Sequence, residues 1–306
     1  MTGYVIRRVL WTIPVLWAVA TVTFFLMHAV PGGPFDRDKP LTPAVRANLE
    51  RRYGFDDPLP QQYVTYLTNL VQGDLGISTR SQRDVTTIIR EGLAVSAQLG
   101  ALAFVFATVF GGTMGVIAAL NRNRMGDYVG VFVATVGSAM PNFILATFLV
   151  IIFSVQLGWT DVLGWEFGNP RKMVLPVVSL GMLPAAYIAR ITRASMLEVL
   201  GQDYIRTARA KGLAEWVVIV RHTVKNAMVP VLTVLGPIFA VLVTGSFIIE
   251  QSFAINGVGR HFVSAVTERD YGVIMGTTLF FALVVAIANL IVDLLYAVVD
   301  PRIRFG

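Results

Sequence analysis

The sequence of 306 residues holds no cysteine and only three histidines, which excludes disulfide cross-links and thiolate metal sites. It is also poor in charge. Asp, Glu, Lys and Arg make up 14% of the residues, against about a quarter in ordinary soluble domains. A phosphate-cradling loop is missing as well. Such a loop needs Gly-rich backbone, then Lys, then Ser or Thr, so that amides and an ammonium surround the phosphates. Lys39, Lys172, Lys211 and Lys225 are neither preceded by Gly nor followed by Ser or Thr. Any ATP hydrolysis that drives this chain therefore belongs to a separate polypeptide, and the chain itself is expected to be non-enzymatic and to carry no cofactor. Short alternating segments of about ten residues, the signature of barrel strands, are absent, as are internal repeats and low-complexity tracts.

What the sequence has instead is apolar length. Apolar residues reach 55% and the mean hydropathy is +0.65. Six runs approach or exceed the roughly 20 residues that a helix needs to cross about 30 Å of hydrocarbon. They cover Val9 to Val30, Val95 to Leu120, Tyr128 to Leu157, Met173 to Ala189, Val229 to Ile249 and Val273 to Val299. Backbone polar groups find no water in lipid, so runs of this length cross as helices. The reading is an all-α integral membrane protein with six transmembrane helices.

The cations orient it. With a cytoplasmic N-terminus, the inner segments hold Arg7, Arg8, Arg122, Arg124, Arg302, Arg304 and a basic loop carrying Arg190, Arg193, Arg206, Arg209, Lys211, Arg221 and Lys225. The short outer loops hold only Arg171, Lys172, Arg260 and Arg269. Long loops count for little in this rule, so both termini are expected in the cytoplasm of a multi-pass cell-membrane protein. The pI near 9.8 follows from the inner loops and calls for no nucleic acid. The first span is longer than a signal-peptide core and is followed by Pro-Gly-Gly-Pro in place of a cleavage site, so it reads as a retained helix.

The division expected is a tip and first helix (1–30), a long structured outer loop (31–94), a transmembrane core (95–299) and a short inner tail (300–306). Within the outer loop, Thr42 and Pro43 form a helix start and Gly54 a stop. A second helix is expected over Gln61 to Val71. This loop is either a cap over the spans or a docking platform for an external partner.

Ionisable groups at bilayer depth, which ion-coupled carriers need, are nearly absent. Glu250 stands at the outer end of the fifth span and Asp293 in the inner third of the sixth, where it reads as a carboxylate bonded to a neighbouring helix end, with a proton relay as the alternative. Energy would enter instead through the basic loop, 190–228. Asp203 suits a helix start, Arg209 and Lys211 suit its end, and Gly212 can adopt the left-handed stop. That predicts a helix from Asp203 to Lys211, with Tyr204, Ala208 and Lys211 on one stripe and Ile205 beside them. A second amphipathic helix is expected from Ala214 to Asn226, Trp216 and Val220 on its apolar side. Both helices could lie at the membrane interface or dock into a partner's groove.

The run ARITRASMLEVLGQDYIRTARAKGL from Ala189 to Leu213, with His222, Asn226, Ala227 and Pro230 after it, resembles the cytoplasmic loop of ABC importer permeases of the dipeptide and oligopeptide branch. YGFDDPLPQQY from Tyr53 to Tyr63 and GDLGIS from Gly73 to Ser78 look like the outer loop of that branch. Ser138, Pro141 and Phe143 match a motif of its third span, and DPRIR from Asp300 to Arg304 its terminus. Two departures stand out: Gly33 where the family has Asp after the first span, and Asn256 where it has Pro after the fifth.

The resemblance implies a type I ABC importer permease fold, of the first-permease branch. It further implies a second homologous permease, two cytoplasmic ATPase subunits that bind ATP and Mg, an external solute-binding protein and short peptides as cargo. The residues it marks for ATPase coupling are Asp203, Tyr204, Ile205, Arg206, Ala208, Arg209, Ala210, Lys211 and Gly212. Nickel is the alternative cargo within the same family, and a self-sufficient ion-coupled carrier is the alternative from another class. The residues lining the substrate path are not legible, because periodicity alone does not say which helix face meets a cavity.

Overall fold

A computed structural model describes residues 2–29 and 54–299, with side chains described for 6–29 and 54–291. The helix expected from Thr42, the Pro31–Pro34 turn, the Asp300–Arg304 terminus and the Asp293 side chain lie outside that set. Helices α1 (Thr2–Ala29), α2 (Leu59–Val71) and α3 (Val85–Leu120) come first. Then follow α4 (Met125–Ala139), α5 (Asn142–Gln156), α6 (Pro170–Leu200) and α7 (Asp203–Ala210). The last are α8 (Glu215–Val243), α9 (Phe247–Ser252), α10 (Val258–Glu268) and α11 (Tyr271–Val299). No strand occurs among the described residues; Ile77 and Asp84 form an isolated bridge.

Five helices, α1, α3, α6, α8 and α11, are long and apolar enough to cross a membrane, and α4 with α5, apolar together but bent by 111° at their short break, brings the number to six when the pair is counted as one span. The third span is therefore not the single run that its hydropathy indicates. The cause is local. Pro141 offers no N–H to continue the ladder, and a residue before proline is driven out of the α region. Met140 accordingly sits extended at φ −92° and ψ 129°.

The amphipathic helix expected from Ala214 to Asn226 is also corrected. It is not a separate element but the first turns of α8, which passes through wider π-type turns at Val218–Val224 before continuing as regular helix. The α6 helix likewise runs past its apolar stretch to Leu200, so the first part of the basic loop is span-continuous helix.

The chain forms two compact units, one of residues 1–95 and 256–287, the other of 96–255 and 288–306. In the first, the start of α3 packs on α10 and α11 through Val85, Ile88, Ile89, Ala265, Val273 and Ile274, with Leu75 and Met27 alongside. The GDLGIS stretch reaches this core because Gly73 and Gly76 take φ of 81° and 82°, where a side chain would be strained. The buried Asp270 carboxylate then accepts hydrogen bonds from the Ser78 hydroxyl and from Thr79 N–H at 3.1 Å.

In the second unit, α6 is the central post. Its small residues let neighbours approach to backbone contact, as lipid-embedded helices require when burial from water supplies no drive. Ala185 and Ile188 meet Ala107 and Val231, while Ala186 and Ala189 meet Ala134 on α4. A Cβ added at Gly111 would lie 2.4 Å from the Ala185 carbonyl oxygen, and one at Gly115 2.6 Å from that of Ala189. Glu250 is fully buried on α9, accepting from the Ser96 hydroxyl at 2.7 Å.

Candidate functional site

The basic end of the second unit brings together the last turns of α6, all of α7 and the first turns of α8. Helix α7 begins after an extended Gln202, carries Asp203 in its first turn and ends at Lys211, after which Gly212 turns at φ 74°. Gly212 N–H donates to the Arg209 carbonyl at 2.9 Å. The left-handed stop read at Gly212 is thus where the chain reverses, and no atom lies within 4 Å of a Cβ built there.

Two sides of α7 differ. Ile205 (0% exposed) and Ala208 (7%) turn inward onto Val218 of α8 and Val199 of α6. The stripe expected to join Tyr204, Ala208 and Lys211 on one accessible face is corrected here: Ala208 and Ile205 belong to the side that holds α7 in place. The remaining marked residues, Asp203, Tyr204, Arg206, Arg209, Ala210, Lys211 and Gly212, are exposed.

Polar contacts complete the attachment. Arg209 forks onto Glu215 with Nε to Oε2 at 3.1 Å and Nη2 to Oε1 at 2.6 Å. This bidentate pairing closes the α7–α8 turn and pushes the Arg209 guanidinium pKa above its usual value. Asn226 donates to the Tyr204 hydroxyl at 3.2 Å, which ties a 44% exposed ring to α8. Arg206 and Asp203 lie 3.5 Å apart, both well exposed, so their attraction is worth little.

A second linkage was not marked from sequence. Asp127, on the first turn of α4 and 4% exposed, accepts Nε and Nη2 of Arg193 on α6 at 2.6 and 2.8 Å. Its Oδ2 also accepts Asn123 N–H at 3.0 Å, from a backbone at φ 57°. The signal available in sequence was opposite charge at the ends of two apolar runs, a pattern too common to pick one pair. Arg190, one helical turn earlier, sends Nη1 to the Ser138 hydroxyl at 3.2 Å. Among the described residues no group of three His, Asp or Glu side chains is placed to hold a metal ion.

Mechanically, the site is a short exposed helix anchored at three points to two long helices. Force applied to α7 passes to α8 through Val218 and Glu215, and to α6 through Val199. From α6 it passes to α4 through the Arg193 fork.

Residues 111–305 match the family model described as binding-protein-dependent transport system inner membrane component, and residues 1–96 match the model of its N-terminal region. The chain is 45% identical to a dipeptide transport system permease protein of Bacillus subtilis, over 99% of this chain and 98% of that protein. It is 42% identical to an oligopeptide transport system permease protein of Escherichia coli, over the whole of both. A chain of a methionine ABC transporter solved in inward-facing conformations shares the fold at a TM-score of 0.55. That match has 17% identity and covers 70% of this chain and 97% of the other. The chain belongs to the family of inner-membrane components of binding-protein-dependent transport systems, with the fold of an ABC importer permease.

Proposed function

We propose that this chain forms one half of the translocation pathway of a peptide importer, with a second, similar permease forming the other half. Both termini and the α7 loop face the cytoplasm, where two ATPase subunits grip the exposed side of α7, and an external binding protein delivers short peptides. The observation that carries the reading is the two-sidedness of α7: one face sealed onto α6 and α8 by Ile205 and Ala208, the other presenting Tyr204, Arg206, Ala210 and Lys211. A helix so built transmits a push without dissolving into the membrane surface. The names of relatives similar along nearly the whole chain, dipeptide and oligopeptide permeases, support peptide cargo. Closure of an ATPase pair would move the docked helices, and the long spans would carry that motion to the pathway.

The absence of cysteine makes a clean test available. A single cysteine placed at Tyr204 or Lys211 should crosslink to a co-purifying nucleotide-hydrolysing subunit, with a yield that changes on ATP addition. Vesicles holding the whole complex should take up short peptides only when ATP and the binding protein are both present. Crosslinks confined to lipid, or uptake driven by an ion gradient with this chain alone, would refute the reading.

A further inference from the structure

Two arginines one turn apart on α6 end far apart in depth. Arg193 turns to Asp127 at the start of α4, whereas Arg190 reaches Ser138 near its end. Asp127 and Ser138 are separated by eleven residues of sequence, about 16 Å along a helix. Arg190 thus directs its guanidinium into the span and away from the headgroups at the basic end, the direction opposite to ordinary snorkelling.

Its surroundings are unusual for lipid. Arg190 is exposed on the same α6 stripe as Leu183 and Tyr187, and its one hydrogen-bonding partner among the described residues is the neutral Ser138 hydroxyl. Two residues beyond Ser138 the helix breaks, and Ala139 and Pro141 at that break are exposed too. Interrupted backbone at membrane depth is tolerated only where protein covers it or where it borders water. An intramembrane arginine follows the same rule, because facing it to lipid is costly. Both observations, one from backbone and one from charge, select the same face of the second unit.

We infer that this face borders the aqueous path and that Arg190 is a substrate-contacting residue that pairs with the C-terminal carboxylate of the passing peptide. The step rests on the peptide reading above. Ser138 holds the guanidinium in place through one N–H, which leaves its other donors to form the forked contact that a carboxylate accepts. A neutral holder suits a transient site, since a fixed acidic partner would compete with the cargo.

The test compares uptake of a free tripeptide and of the same tripeptide amidated at its C-terminus, in vesicles holding the complete transporter and its binding protein. Any preference of the binding protein is common to all variants, so the readout is the change in the free-to-amidated ratio relative to wild type. Arg190→Gln should lower that ratio about tenfold, the scale of a lost charge-assisted bond. Arg190→Lys, which keeps the charge but not the fork, should recover part of it, and Ser138→Ala, which only frees the guanidinium, should lower it by less than Arg190→Gln does. A ratio unchanged in Arg190→Gln, whether uptake is normal or equally reduced for both peptides, overturns the assignment and leaves Arg190 to a lipid phosphate or the partner permease. If the wild-type complex moves neither peptide, the peptide reading itself fails, which is a distinct result.

Discussion

Arg193 grips Asp127 with two parallel hydrogen bonds of 2.6 and 2.8 Å, and this fork is the polar bolt between the helix that leads into α7 and the helix that leads into the bent span. Asp127 is almost wholly buried while the Arg193 side chain keeps 30% of its exposure. Removing Arg193 leaves the Asp127 carboxylate buried and uncompensated, which is where breaking an ion pair costs most, whereas Arg193 left alone can still turn to solvent. Asp127→Asn and Arg193→Gln should each lower the stability of the purified protein by about 2–4 kcal/mol and reduce coupled uptake. In the double variant the two losses should fall short of additive, a coupling that a double-mutant cycle of thermal unfolding in detergent reads directly.

Ile205 anchors α7 from beneath, fully buried against Val218. Truncation to Ala leaves a cavity worth about 2–4 kcal/mol locally. The expected outcome is a helix that still docks its partner but yields under load: ATP hydrolysis continues while uptake per ATP falls. Limited proteolysis between residues 200 and 225 should become faster in the variant, with the amount of protein inserted in the membrane unchanged.

Gly212 tests backbone conformation without confounding contacts. Since no atom lies within 4 Å of a Cβ there, the only penalty for Gly212→Ala is a left-handed φ of 74°, about 1 kcal/mol. Gly212→Asn should be tolerated better than Ala, and Gly212→Pro should uncouple hydrolysis from transport, because proline cannot adopt that φ. The ratio of peptide taken up to ATP hydrolysed is the measurement.

Adjacent glycines on α3 should behave oppositely. Gly111→Ala drives a methyl to 2.4 Å from the Ala185 carbonyl oxygen, whereas a Cβ at Gly112 meets nothing within 4 Å. Overpacking of this kind costs about 1–3 kcal/mol, while Ala for Gly in an open helical position gains up to about 1 kcal/mol. Thermal unfolding of the two variants should therefore shift in opposite directions.

His261, on α10 and outside the spans, has its pKa held below the usual histidine value, first by burial and then by the nearby Arg260 and Arg83, with Glu91 opposing. The folded protein therefore favours neutral imidazole, and the unfolded chain binds the extra proton more readily. Stability contributed by this group is present above the ordinary histidine pKa of about 6.5 and is lost as pH falls through the window below it. His261→Gln should flatten the fall in melting temperature between about pH 6.5 and the lower, folded value.

Much of this organisation was readable one residue at a time. Asp203, Gly212 and the basic residues between them mark a short helix by local capping and turn chemistry, and the structure forms it over Asp203–Ala210. Apolar length marked the crossings for the same reason. The face of α7 was a different matter: Tyr204 and Ala208 stand one turn apart, so helical spacing puts them together, but Val218 and Val199 cover Ala208 and leave Tyr204 outside. Spacing within one helix cannot say which neighbour comes to cover it.

What the sequence by itself determined is an all-helical membrane protein with a short basic helix between two spans, because hydrocarbon solvation and helix capping act over stretches of a few to about twenty residues. Only the tertiary structure decided that Asp127 belongs to Arg193 and that Arg190 turns inward to Ser138. Those outcomes depend on the packing of α4 against α6 through Ala134, Ala186 and Ala189, which joins positions more than fifty residues apart whose chemistry carries no mark of the partner each will meet.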